Sequence, residues 1–118
     1  MTDSVQKFFS SWGDDNTERQ ATTIGKVLAE NVRYVDPRTE APLTSSSAIA
    51  AYVSQFTQMA PGSVAEAIDV SSRDGIIRAT VAFRMPNGME QIGQYFIEQN
   101  AAGKLTRFVG FVGNGTPG

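Results

Sequence analysis

The chain contains neither cysteine nor histidine. The first absence removes disulfides, thiol nucleophiles and thiolate metal sites together. The second removes the commonest general base and metal ligand near neutral pH, so Ser-His-Asp and Cys-His catalysis are excluded. Any acid–base work must come from Asp, Glu, Tyr or Lys. No ligand-spaced group of carboxylates stands out for a metal, and no glycine pattern opens a helix after a strand as a nucleotide site requires. Neither metal nor cofactor is expected. Long apolar runs are also missing: no segment approaches the roughly 20 residues needed to span a bilayer, so no membrane association is expected. The start, MTDSVQKFFSSW, lacks a positive region followed by an apolar stretch and a small-residue cleavage site. No signal peptide is expected, and a cytoplasmic location is the default. Ten Lys and Arg stand against 12 Asp and Glu, with both signs mixed along the chain and a formal charge of -2. No basic cluster exists to neutralise phosphates, which argues against a nucleic-acid partner.

What remains is an ordinary globular composition, 41% hydrophobic and 19% charged over 118 residues. That length predicts one domain, residues 1–118, with the GNGTPG tail at 113–118 flexible by composition. Val5, Phe8, Phe9 and Trp12 fall at helical spacing, with Asp3 or Thr2 as N-cap and Gly13 as the stop. After the GDDN turn, Thr17 and Gln20 read as a capping box, and Ala21, Ile24, Val27 and Leu28 supply a second apolar stripe. This helix is expected to end near Glu30, with Asn31 as a left-handed C-cap. Val32 to Asp36 then switches to alternation, which puts Val32, Tyr34 and Asp36 on one strand face. Pro37 ends that strand and a polar loop follows. Ile49, Tyr52, Val53, Phe56 and Met59 mark a third helix, closed by Pro61-Gly62.

From Ser63 onward the pattern is β. Val64, Ile68 and Val70 alternate, and Asp74-Gly75 is a two-residue hairpin signal. Ile77, Ala79, Val81, Phe83 and Met85 share one face of the next strand. Turns at Pro86–Gly88 and Asn100–Gly103 separate two more strands. The last, from Leu105 to Val112, is apolar on both faces, which predicts a central position covered on both sides. Three helices segregated from an antiparallel meander define the α+β class. A strongly bent sheet wrapped round the third helix would form a cone.

With this element order, Trp12-Gly13-Asp14, VRYVDP at Val32–Pro37, SSAIAAYV at Ser46–Val53 and NAAGKLTRFVGFVG at Asn100–Gly113 resemble the nuclear transport factor two-like superfamily. The likeness runs in particular to its SnoaL-like and ketosteroid-isomerase-like small bacterial members, and it covers Val5 to Gly113. It implies three N-terminal helices on a strongly curved, mostly antiparallel sheet, a cone-shaped, cystatin-like roll. Members of the superfamily include isomerases, polyketide cyclases, epoxide hydrolases, dehydratases and non-catalytic binding proteins. In ketosteroid isomerases the strand-end aspartate is the general base, and Asp36 matches it. Their two oxyanion donors are a first-helix tyrosine and a protonated acid on the sheet. The first position falls near Phe8 on a helix without tyrosine, and the second on Tyr95. The His-Asp arrangement of SnoaL-type cyclases has no counterpart here. The resemblance also implies a homodimer through the outer sheet face, where Glu90, Gln94 and Glu98 alternate.

The expected site is thus an apolar cavity for a small hydrophobic molecule. Asp36 is the candidate base, and Tyr95 or Tyr34 the groups that polarise a carbonyl oxygen. Trp12, Tyr52, Phe56, Met59, Phe83, Met85 and Phe108 are the candidate lining. Each has a plainer reading. Asp36 before proline can cap backbone N–H groups, or pair with Arg33 or Arg38. The tyrosines can simply satisfy their hydroxyls, and the remaining residues are core by default. The reading that follows is an isomerase or cyclase-type enzyme working by proton transfer. Its rival is a non-catalytic ligand-binding or interaction module of the same fold.

Overall fold

A computed structural model describes residues 3–113, so the Thr2 cap and the tail beyond Gly113 lie outside the described residues. Helix α1 (Asp3–Ser10) buries Val5, Phe8 and Phe9, and a 3-10 turn, Ser11–Gly13, carries Trp12 into the same core. Full burial of an aromatic or aliphatic side chain of this kind contributes about 1.5–3 kcal/mol. Helix α2 (Thr17–Val27) starts one residue earlier than a Thr17 cap requires. Asn16 is the N-cap, its side chain accepting from the Arg19 N–H at 2.9 Å. Gln20 is not part of a capping box. It is buried, and its amide reaches the carbonyls of Ser11 at 2.9 Å and Asp14 at 3.2 Å and the Thr57 hydroxyl at 2.8 Å.

The second helix ends at Val27 rather than near Glu30. Leu28 has extended backbone and enters strand β1 (Leu28–Val35) directly, pairing with Leu105, so sheet pairing displaces the expected Asn31 C-cap. Helix α3 (Ser46–Met59) is capped by Ser45, which accepts from the Ala48 N–H at 3.1 Å. It buries Ile49 and Val53 and leaves Tyr52 and Phe56 half-buried.

The remaining strands are β2 (Val64–Arg73), β3 (Ile76–Arg84), β4 (Glu90–Gln99) and β5 (Leu105–Val112). They form an antiparallel meander in a five-stranded sheet of order β1-β5-β4-β3-β2, with β1 joining β5 in parallel. The last strand is therefore interior, flanked by β1 and β4, but it is not covered on both sides: Phe111 and Val112 at its end are exposed. At the β2–β3 turn Asp74 and Gly75 both take positive φ, 53° and 81°, as a two-residue hairpin of this type requires. The alternation expected for β2 is broken by a register shift between Ala67 and Asp69. Ala65 and Ala67 pair with Phe83 and Val81, and after the shift Val70 pairs with Ala79. Val64 and Ile68 are left exposed. Similar shifts interrupt β1–β5 and β4–β5, and such irregularities bend the strands that carry them.

Candidate functional site

The site begins where β1 ends. Tyr34 pairs its backbone with Leu43 in both directions at 2.9 Å, which folds the intervening loop back on the strand. Within that loop Asp36 organises the turn. Its Oδ1 accepts the backbone N–H groups of Arg38 at 2.9 Å and Thr39 at 3.1 Å. The capping role of an Asp before Pro is thus real, but it occupies only one carboxylate oxygen. Oδ2 faces inward and accepts from the Tyr34 hydroxyl at 2.7 Å. The Tyr52 hydroxyl, projecting from α3, bridges both oxygens at 2.9 and 2.7 Å. An ionised carboxylate offers about four acceptor positions, and all are filled. Pairing with an arginine is not the role of Asp36: among the described residues no ion pair involves Arg33 or Arg38.

Tyr95 completes the cluster from β4. Its hydroxyl lies 3.2 Å from that of Tyr34. Since Tyr34 gives its one proton to Asp36, Tyr95 is the donor in this contact. Tyr95 sits opposite Gly110 of β5, and it must cross that strand to reach β1. A Cβ at Gly110 would lie 2.7 Å from Tyr95 Cε2 and 3.0 Å from Asp36 Cβ. Glycine is therefore required here by close approach.

All three tyrosines of the chain belong to this cluster. Burial pushes each hydroxyl above the ordinary phenol range, and the negative charge of Asp36 adds to the effect on each. For Tyr34 the neighbouring Tyr95 also contributes, and for Tyr52 the hydrogen bond to Asp36 is the second cause after burial. For Tyr95 the bond to Tyr34 works the other way but does not cancel burial. The positive charge of Arg38 opposes the shift at both Tyr52 and Tyr95.

Beside this cluster lies a cavity of about 680 Å³, a volume within the range of small-molecule sites. Trp12, Asp36, Tyr52, Phe56, Phe83 and Tyr95 line it. Four other expected site residues do not. Tyr34 is fully buried behind Asp36 and touches the cavity only through its hydrogen bonds. Phe108 is fully buried core, packed on Phe8 and Tyr34 at ring distances of 4.7 and 5.3 Å. Met59, at the last position of α3, has turned outward and is 81% exposed. Met85 follows the end of β3 and belongs to the turn, where its carbonyl accepts from the Gly88 N–H at 3.0 Å.

Sequence reasoning missed Arg38, Gln91, Gly93 and Val112, which also line the cavity. Strand parity offered one signal. Gln91 and Gly93 share the inner face of β4 with Tyr95, opposite Phe83 and Val81. A Cβ added at Gly93 would meet the Phe111 carbonyl oxygen at 3.3 Å and the Phe83 ring at 3.6 Å. The guanidinium of Arg38 donates to Gln91 Oε1 at 3.1 Å, linking the loop after β1 to β4 across the cavity mouth.

No protein-family model matches the chain, and no curated protein sequence matches it significantly. Solved structures do. A provisionally assigned isomerase of the SnoaL-like family from Agrobacterium tumefaciens str. C58 is 25% identical, with a TM-score of 0.84 over 95% of this chain and 96% of that one. A protein of ketosteroid-isomerase-like fold from Catenulispora acidiphila DSM 44928, in complex with trimethylamine, is 12% identical. Its TM-score is 0.75, over 91% of this chain and 82% of its own. A provisionally assigned polyketide cyclase from Sinorhizobium meliloti is 15% identical, with a TM-score of 0.72 over 93% and 94%. The fold is that of the nuclear transport factor two-like superfamily, and within it the likeness runs to SnoaL-like and ketosteroid-isomerase-like proteins.

Proposed function

We propose that the cavity takes a small apolar carbonyl compound and that Asp36 moves a proton at the carbon beside the carbonyl, without a cofactor. The observation that carries this reading is the inward oxygen of Asp36, which stands at the wall of an aromatic cavity with Tyr52 bridging it. Tyr52 is half-buried and lines the cavity itself, so it is the donor that a substrate displaces to reach the carboxylate. Tyr34 and the two backbone N–H groups hold Asp36 in place when Tyr52 withdraws. Tyr95, bonded to Tyr34, fixes that tyrosine in turn. Isomerisation or cyclisation of a carbonyl compound is the reaction class, and relatives of the same fold are provisionally assigned as isomerases and as a polyketide cyclase.

The filled acceptor positions of Asp36 support a second reading, in which the carboxylate is a structural knot and the cavity only binds. Exchange of ketone α-protons for deuterium, in the native chain and in Asp36→Asn, separates the two. Catalysed exchange that the substitution abolishes supports the enzyme, and background exchange in both supports the binding module. The chain is further proposed to form a homodimer through the outer sheet face. Phe96 and Phe111 form an edge-to-face pair there at 5.7 Å and are 40% and 53% exposed.

A further inference from the structure

When Asp36 withdraws a proton from carbon, the electron pair of the C–H bond becomes the C=C bond of an enolate and the carbonyl oxygen takes the negative charge. That oxygen needs a donor. Tyr34 and Tyr95 are engaged, their protons going to Asp36 and to Tyr34, and Tyr52, once the substrate has displaced it, offers a single neutral donor and no positive charge. The Trp12 N–H has no hydrogen-bond partner, but the nitrogen is buried and offers a ligand no surface. Gly113, also in the lining, gives its N–H to the Ile92 carbonyl at 2.8 Å.

Arg38 is different. Its side chain lines the cavity, it makes no ion pair among the described residues, and its one side-chain partner is the Gln91 oxygen. A guanidinium carries five N–H donors and the Gln91 oxygen takes one, so most of them remain free. Its charge is already felt at the Tyr52 and Tyr95 hydroxyls on the cavity wall. Gln91 holds it over the mouth from the opposite strand.

We infer that Arg38 is the group that receives the enolate oxygen, so the substrate binds with its carbonyl at the mouth beside Gln91 and its apolar body against Trp12, Phe56 and Phe83. This rests on Asp36 acting as the base. The proton returns from the Asp36 carboxylic acid to carbon, at the original or a conjugated position, so the step needs no oxidant or reductant.

The test uses the enolate of a cyclic 1,3-diketone as the probe, with cyclohexanone as the neutral control, and follows binding by NMR. Asp36→Asn removes the like charge and stands in for the protonated base. This variant is expected to bind the enolate at least about tenfold more tightly than the native chain, and adding Arg38→Gln to lose at least about tenfold, the scale of one exposed charge-assisted contact. Arg38→Lys retains most of the affinity, and the neutral cyclohexanone loses much less than the enolate when Arg38→Gln is added. Thermal unfolding of each variant is measured alongside to exclude misfolding. Enolate affinity that is indifferent to Arg38→Gln, or lost equally in Arg38→Lys, overturns the inference while leaving Asp36 as the base. Absence of catalysed exchange together with Arg38-dependent enolate binding instead removes the reaction and leaves the oxyanion site.

Discussion

Asp36 sits at the meeting point of four donors, and the three tyrosines around it are the only tyrosines in the chain. That concentration makes the cluster readable in solution. Each tyrosine is held protonated in the folded state above its ordinary value of 10.0, first by burial. The sign follows from linkage: a raised folded pKa contributes stability that is complete below pH 10 and is lost as the pH climbs toward the folded value. For Tyr34 and Tyr95, the two that are almost wholly buried, the loss runs at about 1.4 kcal/mol per pH unit for each residue that only the unfolded chain can ionise. The urea midpoint is therefore expected to be flat up to about pH 10 and to fall steeply beyond it. Tyrosinate absorbance should appear together with unfolding. A tyrosinate signal rising at the ordinary phenol value, with far-ultraviolet dichroism intact, would contradict the buried network.

Two neighbouring strands meet over β5 at Gly110, where Tyr95 of β4 and the Asp36 turn after β1 both approach the bare Cα. Gly110→Ala forces one of them away. The expected cost is about 1–3 kcal/mol in chemical denaturation, with the Tyr34–Tyr95 contact broken and ligand affinity reduced. A variant with native stability and affinity would show that the close approach is not needed. Much of the element order was legible because its signals are local. The stripe from Val5 to Trp12, the Asp74-Gly75 hairpin and the alternation from Ile77 to Phe83 each read correctly from spacing alone. What failed depended on partners distant in sequence. The bulge that turns Ile68 outward is set by pairing with β3, and the end of α2 at Val27 is set by the pairing of Leu28 with Leu105. Asp36 and its tyrosines were legible by residue type. Arg38 and Gln91 were not, because only the folded loop brings positions 38 and 91 together.

Across the whole molecule, the two sheet faces carry different roles. The inner face and the helices enclose the cavity, while Phe96 and Phe111 leave an apolar patch outside. This patch is the proposed dimer contact, since apolar surface of this kind gains from being covered. Sedimentation equilibrium is expected to give a dimer, and Phe96→Glu a monomer with unchanged helical content; a monomeric native chain contradicts the dimer but not the site. The site itself stands or falls on proton transfer. The most direct measurement is the rate at which a small cyclic ketone exchanges its α-protons in deuterated water, followed by NMR, with the native chain and with Asp36→Asn at equal concentration. The account predicts exchange well above the buffer rate for the native chain and a return to that rate for Asp36→Asn. Exchange at the buffer rate while the ketone is demonstrably bound, or exchange that survives the substitution, would contradict it.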